Sequence, residues 1–210
     1  MKIALIGATG RTGRHLLTTL VERGHTVTAL ARDSNRVPAG VPALTVVTGE
    51  ATDADALRQL TAGADAVVSA LGPTGKQPDL HTCTARALVQ IMAEQGPQRF
   101  VGISGAGVNA PGDRKSGRDK MISFLINTLG GAVVEDKPAE LAVWAASDLD
   151  WTLVRPPRLT DSPATGKVEH HAHESTRQTK IARADLAAFV ADVVEQRLYL
   201  RRAPFVANGS

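Results

Sequence analysis

Apolar residues along this chain fall into short unbroken runs, separated by stretches where they recur every three or four positions. The runs at 3–6, 26–31, 44–47, 66–70, 99–103 and 151–154 predict strands buried on both faces. The intervening periodicity predicts helices over 14–23, over about 53–60 with Thr52 or Asp53 as cap, and over 80–95, stopped by Gly96-Pro97. Helical patterns follow near 118–128 and 138–147, with Pro138 suited to a first turn, and a last amphipathic helix covers 184–195. Phe205-Val206 reads as a short final strand. This alternation predicts one α/β domain over residues 1–210, a doubly wound Rossmann-type fold. Its mainly parallel sheet has helices on both faces and strand order 3-2-1-4-5-6. Two polar stretches, 105–118 and 158–180, follow late strands and so fall on the ligand side of the sheet as substrate-binding loops.

The first strand leads directly into Gly7-Ala8-Thr9-Gly10-Arg11-Thr12-Gly13. A strand, a tight glycine turn and a helix start make an anion site from backbone alone, because free amides and the positive helix end converge there. Gly7 lets the chain leave the strand, Gly10 admits a phosphate, and Gly13 lets the helix pack on the strand. The spacing departs from the common Gly-x-Gly-x-x-Gly, but the strand–turn–helix context is the one a dinucleotide pyrophosphate requires. The strand 66–70 ends at Gly72-Pro73, which places its end beside that turn.

The residues after strand 2 select the dinucleotide. An acid there accepts bonds from ribose hydroxyls, and an arginine accommodates a 2′-phosphate. Arg32 and Arg36 stand at this place and favour NADP(H) over NAD(H); Asp33 between them keeps the alternative of a ribose contact open.

Composition narrows the class. The 210 residues are 43% hydrophobic, with 24 Lys and Arg against 21 Asp and Glu and a net charge of +3. Charges are interspersed, without a basic block, and there are two tryptophans, one tyrosine and four phenylalanines. This argues against nucleic acid as a partner. No apolar stretch has the length of a membrane span, and the first residues do not read as a signal peptide. The single cysteine, Cys83, fits a reducing, cytoplasmic setting and reads as buried filler.

Four segments carry a resemblance. They are the 7–13 turn, Leu30-Ala31-Arg32-Asp33-Ser34-Asn35-Arg36, the strand at Asp65–Ser69 before Leu71-Gly72, and Leu149-Asp150-Trp151-Thr152-Leu153-Val154-Arg155-Pro156. Together they resemble the atypical short-chain dehydrogenase/reductases, in particular the NADPH-dependent flavin reductase and biliverdin-IX-beta reductase group, with NmrA-like proteins as neighbours. The resemblance extends over nearly the whole chain, including Pro156–Gly166 and the helix start at Asp185. It implies an NADPH-dependent oxidoreductase that passes hydride to a flat conjugated acceptor: a flavin such as FMN or FAD, a quinone or a tetrapyrrole. By this resemblance Ser104 matches the active-site serine, Ala70, Leu71 and Gly72 pass the cofactor, and Pro156 and Pro157 lie under the nicotinamide. Glu50, with Ala51 beside it, stands where many relatives carry an aspartate that reaches the adenine. Read from the residues alone, Ser104 serves equally as a polar strand-end cap or as a donor to a developing charge.

Two departures bear on chemistry. The Tyr-x-x-x-Lys relay of ordinary short-chain dehydrogenases is missing, since the single tyrosine, Tyr199, has no lysine four residues on. Arg158 follows Pro156-Pro157 where the flavin reductases carry histidine; it can pin an anionic acceptor but not act as a general acid. Lys137 is a further candidate near the pocket, with Glu135 and Asp136 as alternative surface partners for it. His170, His171 and His173 lack the converging partners of a zinc site, so no metal is expected. Trp144 and Trp151 read as core. Two other functions remain open at this point: an NmrA-like NADP(H) sensor without catalysis, and a sugar-nucleotide epimerase, which the missing relay disfavours. A monomer or a homodimer fits the sequence equally.

Overall fold

In a computed structural model of the chain, described for residues 1–72, 77–115, 117 and 132–209, six strands form one parallel sheet. They are β1 (Lys2–Ile6), β2 (Thr26–Ala31), β3 (Leu44–Thr48), β4 (Ala66–Ser69), β5 (Arg99–Ile103) and β6 (Asp150–Val154). Their order is β3-β2-β1-β4-β5-β6, as the sequence predicts, and every neighbouring pair is parallel. The order in which strands are added switches from one side of β1 to the other at β4, and this switch point opens a crevice at the carboxyl ends of β1 and β4.

Successive side chains of a strand enter opposite layers, so a doubly covered sheet needs apolar residues at every position. On β1, Ile3 and Leu5 pack with Leu16, Leu20, Leu186 and Val190, whereas Ala4 and Ile6 pack with Leu57, Leu60, Leu88 and Trp144. The first layer comes from α1 (Arg11–Glu22) and α5 (Arg183–Glu195); the second from α2 (Ala54–Thr61), α3 (Leu80–Gln95) and α4 (Ala132–Ala145). Trp144 is fully buried and stacks on Phe100 with ring centroids 3.8 Å apart; Trp151 is buried too, so both tryptophans are core. Asp53 caps α2 by accepting from the amides of Asp55 and Ala56.

Several expectations change. α1 starts at Arg11 rather than 14, because the helix begins within the glycine turn itself. Pro138 lies inside α4, not in its first turn; the helix continues on its other backbone bonds around the one donor that proline lacks. Cys83 is half-buried rather than filler, its thiol donating to Asp79 Oδ2 at 3.2 Å. The 158–180 stretch contains short strands. β7 (Arg158–Thr160) pairs with β9 (Lys180–Ala182), and β8 (Val168–His171) pairs antiparallel with β10 (Phe205–Asn208). Asp185 on α5 pins this stretch by accepting from the backbone amides of Thr165 and Gly166. The helical pattern near 118–128, the end of the 105–118 loop, Pro73 and the side chain of Glu135 lie outside the described residues. Among the described residues, no helix is long and apolar enough to cross a membrane.

Candidate functional site

The turn after β1 is built by close backbone approach. Gly7 has φ +82°, the left-handed region, and a Cβ there would lie 2.7 Å from the carbonyl carbon and oxygen of Ala70. A Cβ on Gly13 would lie 1.9 Å from Gly7 O, so α1 can sit this close to β1 only with glycine. Gly10 precedes α1 without a capping side chain, and the helix's first turn has no acidic residue. The first amides and the positive helix end therefore face a ligand space rather than a protein carboxylate.

A cavity of 410 Å³ opens over this turn. Gly7, Thr9 and Gly10 line it from the turn, Arg32 and Arg36 from the end of β2, and Glu50 and Ala51 from the end of β3. Ala70, Leu71 and Gly72 close it at the end of β4. All were singled out from sequence. Leu30, Ala31, Gly49, Gln77 and Leu80 also line the cavity and were not. Leu30, Ala31 and Gly49 sit next to chosen positions at strand ends, so the crevice rule could have found them. Gln77 and Leu80 carry no signal beyond following β4.

Arg32 and Arg36 are exposed, and neither has an ion-pair partner among the described residues. Asp33 does not line the cavity. Its carboxylate accepts from Asn35 N at 3.0 Å and caps the single 3₁₀ turn Ser34–Arg36. The acid that kept a ribose contact open is thus engaged in shaping the loop that carries Arg36.

Arg11, Thr12 and Gly13 lie in the first turn of α1, outside the cavity lining. Arg11 is exposed and 3.6 Å from Asp161, which also accepts from Arg183 at 2.7 Å. That network links the glycine turn to the 158–180 stretch.

Ser104 directly follows β5. Its amide donates to Val154 O at 2.8 Å, and Ala106 N donates to Pro156 O at 2.9 Å, which brings Ser104 beside the Pro156-Pro157 turn. The Ser104 hydroxyl is shielded from solvent yet has no hydrogen-bond partner among the described residues. A buried hydroxyl without a partner is costly, and strand-end caps do not leave their oxygen unused. Lys137 Nζ donates to Ile103 O at 3.1 Å and to Glu140 Oε2 at 2.9 Å, one residue from Ser104. Arg158 begins β7 with an exposed side chain, outside the described cavity.

Asp136 is not a surface partner of Lys137. It is buried and accepts from His81 and Thr82 on α3. Burial pushes its carboxyl up, but the bonds from the Thr82 hydroxyl, the His81 and Thr82 amides and the His81 ring outweigh this and hold it below the usual carboxylate range. Tyr199 is engaged elsewhere: its hydroxyl is 2.6 Å from His170 Nδ1, against Phe189. It takes no part in the cleft lining.

The turn that excludes a Cβ and the open helix end suit an anionic group at the strand ends, whereas Ser104, Lys137, Pro156 and Pro157 lie outside the cavity lining.

Residues 7–197 match a protein family described as NAD(P)H-binding. YwnB of Bacillus subtilis (strain 168), an uncharacterized protein, is 34% identical over 107 residues, which make up 51% of this chain and 48% of YwnB. The chain thus matches about half the length of that relative. A solved structure of a candidate exported protein from Burkholderia pseudomallei is 29% identical and superposes with a TM-score of 0.78, covering 99% of each chain. A candidate NADH-flavin reductase from Streptococcus pneumoniae, SP1627, shares the fold at 24% identity, with a TM-score of 0.79 and 100% of both chains covered. The chain belongs to the NAD(P)H-binding family, in keeping with its resemblance to the atypical short-chain dehydrogenase/reductases.

Proposed function

We propose that this protein is an NADPH-dependent oxidoreductase that reduces a flat, conjugated acceptor of the flavin, quinone or tetrapyrrole type. The carrying observation is that Arg32 and Arg36, without an ion-pair partner among the described residues, line the same cavity as the Gly7–Gly10 turn. Two guanidinium groups at the end of β2 suit a 2′-phosphate, while Asp33 lies outside the cavity lining and caps the following turn through one carboxylate oxygen. A bound dihydronicotinamide supplies hydride, and the acceptor takes up one further proton from solvent, so that FMN, for example, becomes FMNH₂. Ser104 donates its hydroxyl to the acceptor or the carboxamide, and Lys137 fixes the strand end that carries Ser104. Such a reaction depends on positioning rather than on a phenol relay, which suits the engagement of Tyr199 with His170.

The test is a fluorescence titration with NADPH and NADH, followed by turnover with FMN and a quinone panel. NADPH should bind at least about tenfold more tightly than NADH, and the preference should collapse in an Arg32→Ala/Arg36→Ala variant. Equal affinity for the two cofactors would overturn the NADPH assignment. Tight binding with no turnover on any planar acceptor would overturn the enzyme and favour a cofactor sensor.

A further inference from the structure

The end of β4 is held from two sides. Gly7 packs beneath it, leaving no room for a Cβ against Ala70 or Leu71 N. From the other side the ring of His81, the second residue of α3, reaches over: Nε2 is 3.1 Å from Leu71 O. The His81 ring is itself fixed, with Nδ1 2.7 Å from Asp136 Oδ2. Asp136 also accepts from His81 N at 2.8 Å and from Thr82 N at 2.9 Å.

These bonds have separable purposes. Asp79, at the start of α3, makes no side-chain cap. Asp136 caps α3 in its place, from α4, through the two backbone amides. That capping does not need the imidazole. The ring adds a donor to Leu71 O. The Asp136 carboxylate and the Leu71 carbonyl are both acceptors, so both ring nitrogens meet groups that take an N–H.

The Leu71 carbonyl is not free to point elsewhere without consequence. In a trans peptide the carbonyl of one residue and the amide of the next point in opposite directions. Holding Leu71 O toward α3 turns the Gly72 amide away from α3. Leu71 and Gly72 both line the cleft.

We infer that His81 is a positioning residue for the cofactor: by holding Leu71 O it presents the Gly72 amide to the cleft as a hydrogen-bond donor for a ribose or phosphate oxygen of the dinucleotide. Asp136 orients the ring. This inference rests on the reading of the cleft as an NADP(H) site.

Two substitutions separate the ring's two contacts. Asparagine at 81 keeps a donor near the Nδ1 position, toward Asp136, and loses the one toward Leu71. Glutamine places its amide near the Nε2 position and keeps the one toward Leu71. Both retain the backbone amide that Asp136 caps, so thermal melting of the full chain should show both folded. NADPH affinity, measured by fluorescence titration, should fall about fivefold or more in His81→Asn and stay within about twofold of wild type in His81→Gln. In ¹H–¹⁵N spectra, addition of NADP⁺ should shift the Gly72 amide in wild type and in His81→Gln, and much less in His81→Asn. Equal affinities for the two variants, whether both unchanged or both reduced, would overturn the positioning role. A wild-type protein that binds neither NADPH nor NADP⁺ would instead overturn the cofactor reading, independently of either variant.

Discussion

Arg155 grips Asp113 with both terminal guanidinium nitrogens, at 2.6 and 2.7 Å, with Arg155 wholly buried and Asp113 nearly so. The same guanidinium donates to Val108 O and Ala203 O and lies 3.8 Å over the ring of Phe205. It thereby fastens the loop that follows Ser104 to β6 and the C-terminal segment. A bidentate pair out of water is not a strong source of stability, but breaking it leaves a buried charge without its partner. Arg155→Met and Asp113→Leu should each cost about 3–5 kcal/mol in urea unfolding. The double variant should cost clearly less than their sum, because no lone charge remains. Strictly additive losses would refute the pair as a unit.

Gly13 makes a sharper demand, since the atoms a Cβ would meet are all backbone. They are Gly7 O at 1.9 Å, Gly7 C at 2.7 Å and Ala8 Cα at 3.0 Å. No rotamer change relieves this, so α1 must shift away from the turn. Gly13→Ala should lower stability by about 1–3 kcal/mol or more and weaken NADPH binding at the same time. Gly105→Ala, where a Cβ meets nothing within 4 Å, is the stability control. A Gly13→Ala protein with native melting temperature and native affinity would contradict the packing described.

The parts of the fold that the sequence makes legible are those specified locally. β5 and α3 stand at the expected bounds because an unbroken apolar run and a helix stopped by Gly96 need no distant partner to be recognised. Arg32 and Arg36 are legible because their position after β2 is enough. The pairs that organise the site are not legible. Asp136 finds His81 across 55 residues and Arg155 finds Asp113 across 42, and in each case tertiary packing chooses the partner. β7, β8 and β9 escape for the same reason. They are three or four residues long, partly polar, and exist only through pairing. Asp136 even reads as a surface charge, because a carboxylate's burial depends on donors that local pattern does not reveal.

Acid should unfold the protein through carboxylates whose native state holds them charged. Burial pushes Asp185 up, but bonds from the Thr165 and Gly166 amides, Asn208 and the Thr165 hydroxyl outweigh it, so its folded value lies below the ordinary one. Asp136 behaves likewise. A group depressed in the folded state contributes stability above its unfolded value, near about 3.9, and loses it as pH falls toward the folded value. Stability should be level above about pH 5 and decline below about pH 4. Asp185→Asn should be less stable at neutral pH yet decline less steeply in acid. Urea midpoints across a pH series decide this; an unchanged acid slope would rule Asp185 out as a contributor.

Ser104 separates stability from function. Its hydroxyl is buried with no partner among the described residues, so Ser104→Ala removes an unsatisfied group rather than a bond. The melting temperature should stay the same or rise, by an amount corresponding to no more than about 1 kcal/mol. If the hydroxyl donates to charge developing on the acceptor, turnover should fall about 10- to 100-fold, with NADPH affinity changed little. Lys137→Met should reduce turnover less than Ser104→Ala does, because Lys137 acts through the Ile103 carbonyl and not on the acceptor. A Ser104→Ala protein that melts earlier and turns over normally would make Ser104 a strand-end cap.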